Sequence, residues 1–285
     1  MMKPTGQEMQ IADTAPVEAA EAPKISFRDV VMGFGAGTKR VEVLAGVSFD
    51  VADGEFVSVL GPSGCGKSTL LNLAAGFTSP DSGRVEVDRE QVTGPDHRRG
   101  VVFQQYAIFP WLTVKDNIGF GLTLKKNRRP KAEIAETVKR YVELMGLQGF
   151  EDALPKTLSG GMRQRVALAR AYATDPQVLL MDEPFAALDA QTREFMQELL
   201  HEANQQEQRT AMLITHSVEE AIFLSHRIVV LTKRPTHVHE VIDVPVPFPR
   251  TPDSRLMPEF LDLRRHLEEV MRSMSNLPNT GKASR

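Results

Sequence analysis

"EFVSVLGPSGCGKSTLLNLAAG" (residues 55–76) decides the fold. The opening run, Glu55 to Leu60, is short and apolar and ends on Gly61, as a buried parallel strand entering a phosphate loop does. A helix is expected from near Lys67 to around Gly76, with "SPDSG" as the turn after it. Between strand and helix, Gly61-Pro62-Ser63-Gly64-Cys65-Gly66-Lys67-Ser68 matches G-x-x-x-x-G-K-[ST] in full, and Thr69 follows. Glycines at 61, 64 and 66 let the loop adopt dihedrals closed to other residues, so successive N–H groups converge on one anion. The helix start adds partial positive charge, and Lys67 a full one for β- and γ-phosphates. The Ser68 hydroxyl is the expected ligand of Mg2+. Cys65 stands at a variable position of the pattern and reads as a small residue that happens to carry sulfur.

Outward from this stretch, strands are expected at 25–31, 41–51, 83–88 and 99–105. From Thr113 to Thr174 the character turns helical. Ile134, Val138, Tyr141, Val142 and Met145 recur at helical spacing, and a second helix covers Ser159 to Ala173. Alternation then resumes: strand 178–182, helix 190–206, strand 210–215, helix 218–224 and strand 227–232. Strands alternating with helices in this way give an α/β domain around a mostly parallel sheet. "VPVPFPRTP" (244–252) reads as an extended connector, because each proline removes a backbone donor. Beyond it, Leu256, Phe260, Leu263, Leu267, Val270 and Met274 mark an amphipathic helix.

Further polar residues fall at the carboxyl ends of these strands, where α/β sheets bind ligands. "VLLMDEP" ends in adjacent carboxylates, and strand alternation would send Asp182 and Glu183 to opposite faces, so they cannot share one role. Asp182 suits the Mg2+ shell, and Glu183, just past the strand, could polarise an attacking water. His216 follows "TAMLIT", and Gln104 and Gln105 follow "VVF".

Composition narrows the setting. The 285 residues are 41% hydrophobic and 25% charged with a formal net charge of −3, which argues against a nucleic-acid partner. The single cysteine excludes an internal disulfide and fits a reducing compartment. No apolar run has the length of a membrane-spanning helix. Residues 1–24, rich in Ala, Glu and Pro without an apolar core, read as a disordered tail rather than a signal peptide.

"LSGGMRQRVALARA" (158–171) poses a puzzle: paired glycines open a helix as though to receive phosphate, yet no lysine follows. Taken together, "GPSGCGKST", "VFQQ", "LSGGMRQR", "LLMDEPFAALD" and "ITHS" resemble, in order and spacing, the nucleotide-binding subunits of ABC transporters over about residues 25–232. "FQQYAIFPWLTVKDNIGFGL", with its "FPW" triplet, is similar to the importers of nitrate, taurine, aliphatic sulfonates and bicarbonate.

The resemblance implies a P-loop core with an antiparallel β subdomain and a helical subdomain inserted at about 113–174, all within 25–243, followed by a C-terminal extension over 244–285. It implies ATP and Mg2+ as ligands, with residues 61–69 as the phosphate loop and Ser68, Gln104 and Asp182 around the metal. Glu183 is the implied general base and His216 the residue on the γ-phosphate. Phe34 is the implied adenine-stacking aromatic, although glycines flank it, and Asp189 belongs to the turn after the acidic pair. Met162 and Ser217 depart from the commonest residues of the family, glutamine and aspartate, without removing a phosphate-contacting group.

On this reading "LSGGM" is half a site: Ser159, Gly160 and Gly161 would close over the γ-phosphate held by a second copy of the chain. The resemblance also implies a transmembrane permease, an extracytoplasmic solute-binding protein and a peripheral place at the cytoplasmic face of the membrane. Tyr106, Phe109, Pro110, Trp111 and Leu112 are the expected docking segment for the permease. The competing expectation is a soluble ABC ATPase, for example of iron–sulfur assembly. A GTPase is excluded because no N-K-x-D guanine motif occurs.

Overall fold

The structure, a computed structural model, describes residues 22–35 and 37–276. Most of the expected tail therefore lies outside the described residues. Lys24, at its end, donates its N–H to Val51 O at 2.7 Å and pairs with Asp88 at 2.8 Å.

Two sheets share the chain. Strands β1 (Ile25–Phe34), β2 (Val41–Val51), β4 (Ser82–Val87) and β5 (Glu90–Gln91) form an antiparallel sheet in the order β2-β1-β4-β5. The second sheet runs β10-β9-β3-β8-β7-β6. Its members are β3 (Phe56–Leu60), β6 (Arg99–Val102), β7 (Val178–Asp182), β8 (Thr210–Thr215), β9 (Arg227–Leu231) and β10 (Val238–Asp243). All neighbours in it are parallel except β10, which returns antiparallel along β9 as an edge.

The apolar strands divide their side chains between two cores at a period of two. Phe56, Leu60, Leu179, Met181, Leu213 and Val230 face one core. Val57, Val59, Leu180, Ile214 and Val229 face the other, together with the antiparallel sheet and helix α1 (Lys67–Ala75). Burial on both faces is why these strands read as continuous apolar runs. The first core is completed by helices α2 (Val114–Thr123), α3 (Lys131–Leu144), α4 (Gly160–Ala173), α5 (Ala190–Glu207), α6 (Val218–Leu224) and α7 (Pro258–Asn276).

Helix α2 and strand β10 are additions to the sequence reading. Helix α2 carries Gly119 and Gly121 for close packing, not as breaks. A Cβ on Gly121 would lie 2.3 Å from the Thr174 methyl, and one on Gly119 3.1 Å from Ile134. Strand β6 stops at Val102, short of the expected Gln105, because Tyr106 and Ala107 turn the chain through left-handed conformations at φ 26° and 49°.

The connector after β10 is fixed by Arg250, which is buried and pairs with no carboxylate among the described residues. Its guanidinium donates instead to Val246 O, Ile222 O and Ser225 O and lies 3.9 Å over the Phe248 ring. The Arg250 N–H donates to His201 Nε2 at 3.0 Å.

Candidate functional site

The strand–loop–helix at 56–75 builds a phosphate cradle. Gly64 and Gly66 sit at φ 74° and 109°, where a Cβ is strained. At Gly66 a Cβ would also meet Val43 Cγ1 at 2.7 Å. Helix α1 starts without any side-chain cap, so its first N–H groups are left for an incoming anion.

Aiming amide hydrogens inward turns carbonyls outward, and each needs a donor. Lys67 Nζ donates to Gly61 O at 2.8 Å and Pro62 O at 3.2 Å. Arg234 Nε donates to Gly64 O, and Thr236 Oγ1 to Cys65 O. The Cys65 thiol packs under the loop, and burial pushes its pKa up, as for an inert core cysteine.

Ser68 Oγ donates to Asp182 Oδ1 at 3.1 Å, joining the helix start to the end of β7. Burial raises the Asp182 pKa, so that carboxylate gains from a cation placed beside it. Glu183 departs from strand alternation. Its φ of 43° lies in the left-handed region, a strained conformation for glutamate, and swings the side chain into the same cleft that Ser68 lines. Glu183 lines that cleft and Asp182 does not, so the two carboxylates keep separate partners, His216 for the one and Ser68 for the other. Glu183 Oε2 lies 3.0 Å from Nδ1 of His216, which is itself exposed. A carboxylate there accepts a hydrogen bond from Nδ1–H and leaves Nε2 outside that contact.

The cleft measures about 310 Å3 and is lined by Phe34, Val43, Ser63, Gly64, Gly66, Lys67, Ser68, Thr69, Glu183 and Arg234. Phe34, half exposed, borders it. Gly61 and Cys65 lie buried beneath, and Pro62 accepts from Lys67. Gln104 is exposed past β6 and does not line the cleft.

Ser159, Gly160, Gly161 and Asp189 also lie outside the cleft. Ser159 caps α4 by accepting from Met162 N at 3.2 Å, and Asp189 caps α5 by accepting from Thr192 N at 3.0 Å. Gly161 has a packing reason besides: a Cβ there would lie 2.7 Å from Thr192 Cγ2. Ser217 caps α6 through Glu220 N, so serine does there what aspartate would.

Three residues escape the sequence reading. Glu220, buried, accepts from Thr215 Oγ1 at 2.6 Å and fixes the turn that carries His216. Asn117, also buried, donates to Phe109 O, Leu112 O and Thr113 O and accepts from Phe109 N, shaping the "FPW" turn. Arg234 is the third. None stands in a run that announces it, because each acts on a neighbour brought close by folding.

A second, apolar groove of about 640 Å3 opens beside β6, α2 and α4, lined by Phe103, Phe109, Phe120 and Leu124 with Arg99, Lys125, Lys126 and Arg170 among the polar residues. Of the expected docking residues only Phe109 lines it. Trp111 stands 73% exposed with its ring 5.6 Å from that of Phe109.

Residues 44–186 match the family model described as ABC transporter. A putative ATP-binding protein of Brucella abortus is 52% identical over 86% of this chain and 92% of its own length. The chain belongs to the ABC transporter family. It is an ATP-binding, ATP-hydrolysing subunit. An aliphatic sulfonates import ATP-binding protein of Bacillus cereus is 44% identical over 82% of this chain and 92% of its own. A dimeric ATP-binding cassette solved after hydrolysis with ADP and Pi matches at TM-score 0.68 and 31% identity, over 77% of this chain and 98% of that one. Among the described residues no helix of this ATPase is long and apolar enough to cross a membrane.

Proposed function

We propose that this ATPase drives an importer of small anions of the sulfonate, taurine, nitrate or bicarbonate type, working as a homodimer beneath a separate permease at the cytoplasmic face of the membrane. The observation that carries the hydrolytic part is Glu183, turned into the phosphate cleft by its left-handed backbone and held at 3.0 Å by His216. The sulfonate importer relative from Bacillus cereus supports the direction and the solute class.

The residues divide the work. Phe34 stacks on the adenine, the loop amides and Lys67 hold the phosphate chain, and Glu183 takes a proton from the attacking water. His216 orients Glu183 through Nδ1 and offers Nε2 to the γ-phosphate. The Ser68 and Asp182 oxygens suit a hard divalent cation, and Gln104 joins them on family resemblance. Mg2+ bound there would neutralise charge on the phosphates.

The Ser159–Gly161 corner does not line the phosphate cleft of its own chain, which supports its acting on the nucleotide of a second copy. Closure follows because ATP bridges contacts that the open pair lacks. The apolar groove beside β6 and α2 is the seat for a short permease helix. A solute-binding protein outside the membrane completes the importer.

Glu183→Gln tests the site. ATP binding should persist while turnover falls by at least about a hundredfold, and ATP should hold the variant as a dimer in gel filtration. Unimpaired hydrolysis would refute the base assignment. For the solute, the permease and binding protein that co-purify are identified, and the binding protein is titrated with sulfonates, taurine, nitrate and bicarbonate. A chain that recovers in the soluble fraction with no permease attached would favour the non-transport ATPase instead.

A further inference from the structure

The turn between β9 and β10 reaches the phosphate loop from outside every motif in the sequence. Thr236 ties it down on two sides: Thr236 N donates to Val43 O at 2.9 Å, and Ala45 N donates to Thr236 O at 2.9 Å. With Thr236 Oγ1 on Cys65 O as well, the turn is strapped both to β2 and to the loop.

Two residues earlier, Arg234 is fixed among the described residues by a hydrogen bond from Nε to Gly64 O. That bond orients the guanidinium without consuming its remaining donors, which among the described residues have no carboxylate partner. Nη2 lies 2.8 Å from the point where Gly64 would carry a Cβ, so the charge stands against the outer lip of the loop. The guanidinium lines the nucleotide cleft alongside Phe34, Lys67 and Ser68, and it also lines a neighbouring cleft of about 390 Å3 with Ser63, Cys65 and Lys233. An arginine anchored through Nε presents its two Nη groups as a preset fork, the geometry that suits phosphate oxygens.

We propose that Arg234 is a nucleotide-binding residue: it adds a second fixed positive charge, beside that of Lys67, to the polyphosphate chain. The assignment rests on the reading of residues 61–69 as an ATP site and extends it to a residue 165 or more positions away in sequence, brought back by the hairpin. Its charge also offsets that of Glu183, which lines the same cleft.

The test is equilibrium binding of MgATP, MgADP and adenosine to the full chain, repeated across NaCl concentrations, with Lys67→Ala as reference. Arg234→Ala should weaken ATP and ADP by about tenfold, leave adenosine unchanged and flatten the salt dependence. Arg234→Gln, which keeps bulk and hydrogen bonding, should behave alike, and Arg234→Lys should recover part of the loss. Thr236→Val, which cuts a strap without removing charge, should leave the salt dependence intact. Wild-type ADP affinity in Arg234→Gln, or equal losses for adenosine and ATP, would overturn the assignment. So would a salt dependence that Arg234→Ala and Thr236→Val leave alike. If Lys67→Ala binds ATP as the wild type does, the phosphate-loop reading itself falls, and this inference with it.

Discussion

A histidine and an arginine serve in each of two places, and solvent gives them opposite tasks. At the carboxyl edge of the parallel strands, exposed His216 touches Glu183 and Arg234 touches Gly64 O, each with a side-chain nitrogen to spare. Behind the same sheet, buried His201 accepts the Arg250 N–H, and Arg250 spends its guanidinium on three carbonyls. Burial pushes the His201 pKa down to about 4 and the Arg250 pKa down to about 10. Residue type alone therefore says little about role. A pair with unused hydrogen-bonding capacity at a cleft can act on a ligand, whereas a pair sealed and satisfied can only hold structure.

The largest effect expected from this contrast is at the sealed pair. Arg250→Ala strands buried carbonyls and should cost about 3–5 kcal/mol in urea unfolding, with ATP affinity of the surviving folded fraction unchanged. A loss below about 1 kcal/mol would mean water reaches those carbonyls.

The next concerns pH. The folded His201 pKa lies below its unfolded value near 6.5, so the unfolded chain takes up the proton first as pH falls. The stability that neutral His201 provides is complete above about 6.5 and is lost as pH drops toward 4, an effect on the order of 3 kcal/mol. Unfolding midpoints measured through that window should shallow in His201→Gln, whose amide oxygen can still accept from Arg250.

At the exposed pair the signs reverse. His216→Ala should lower turnover by about a hundredfold and move the unfolding free energy by less than about 0.5 kcal/mol. A large stability change there would erase the distinction between the two places.

The smallest effect separates two helix starts. Ser159→Ala removes a cap and should cost about 1 kcal/mol, without altering ATP affinity in the isolated monomer but reducing turnover at concentrations where the chain pairs.

Much of this was legible in the linear chain, and physics explains which parts. The phosphate loop and the ends of β7 and β8 are local: a strand, a turn and a few side chains within ten residues carry the chemistry. The contact between Glu183 and His216 joins residues 33 apart, and the sequence offered only two strand ends. The turn at Glu183 was hidden because nothing in "MDEPF" signals a left-handed glutamate. Helix α2 was obscured by Gly119 and Gly121, whose missing side chains are packing space, and β10 by its half-exposed alternation at an edge. Arg234 stands in "TKRPTH", which has no pattern to announce it.

The missing methyl at Gly161 has a mechanical consequence. Because Thr192 fills that space, the head of α4 and the first turn of α5 are riveted face to face. A push on either is delivered to the other without slack, and an alanine at this point would act as a wedge between two levers.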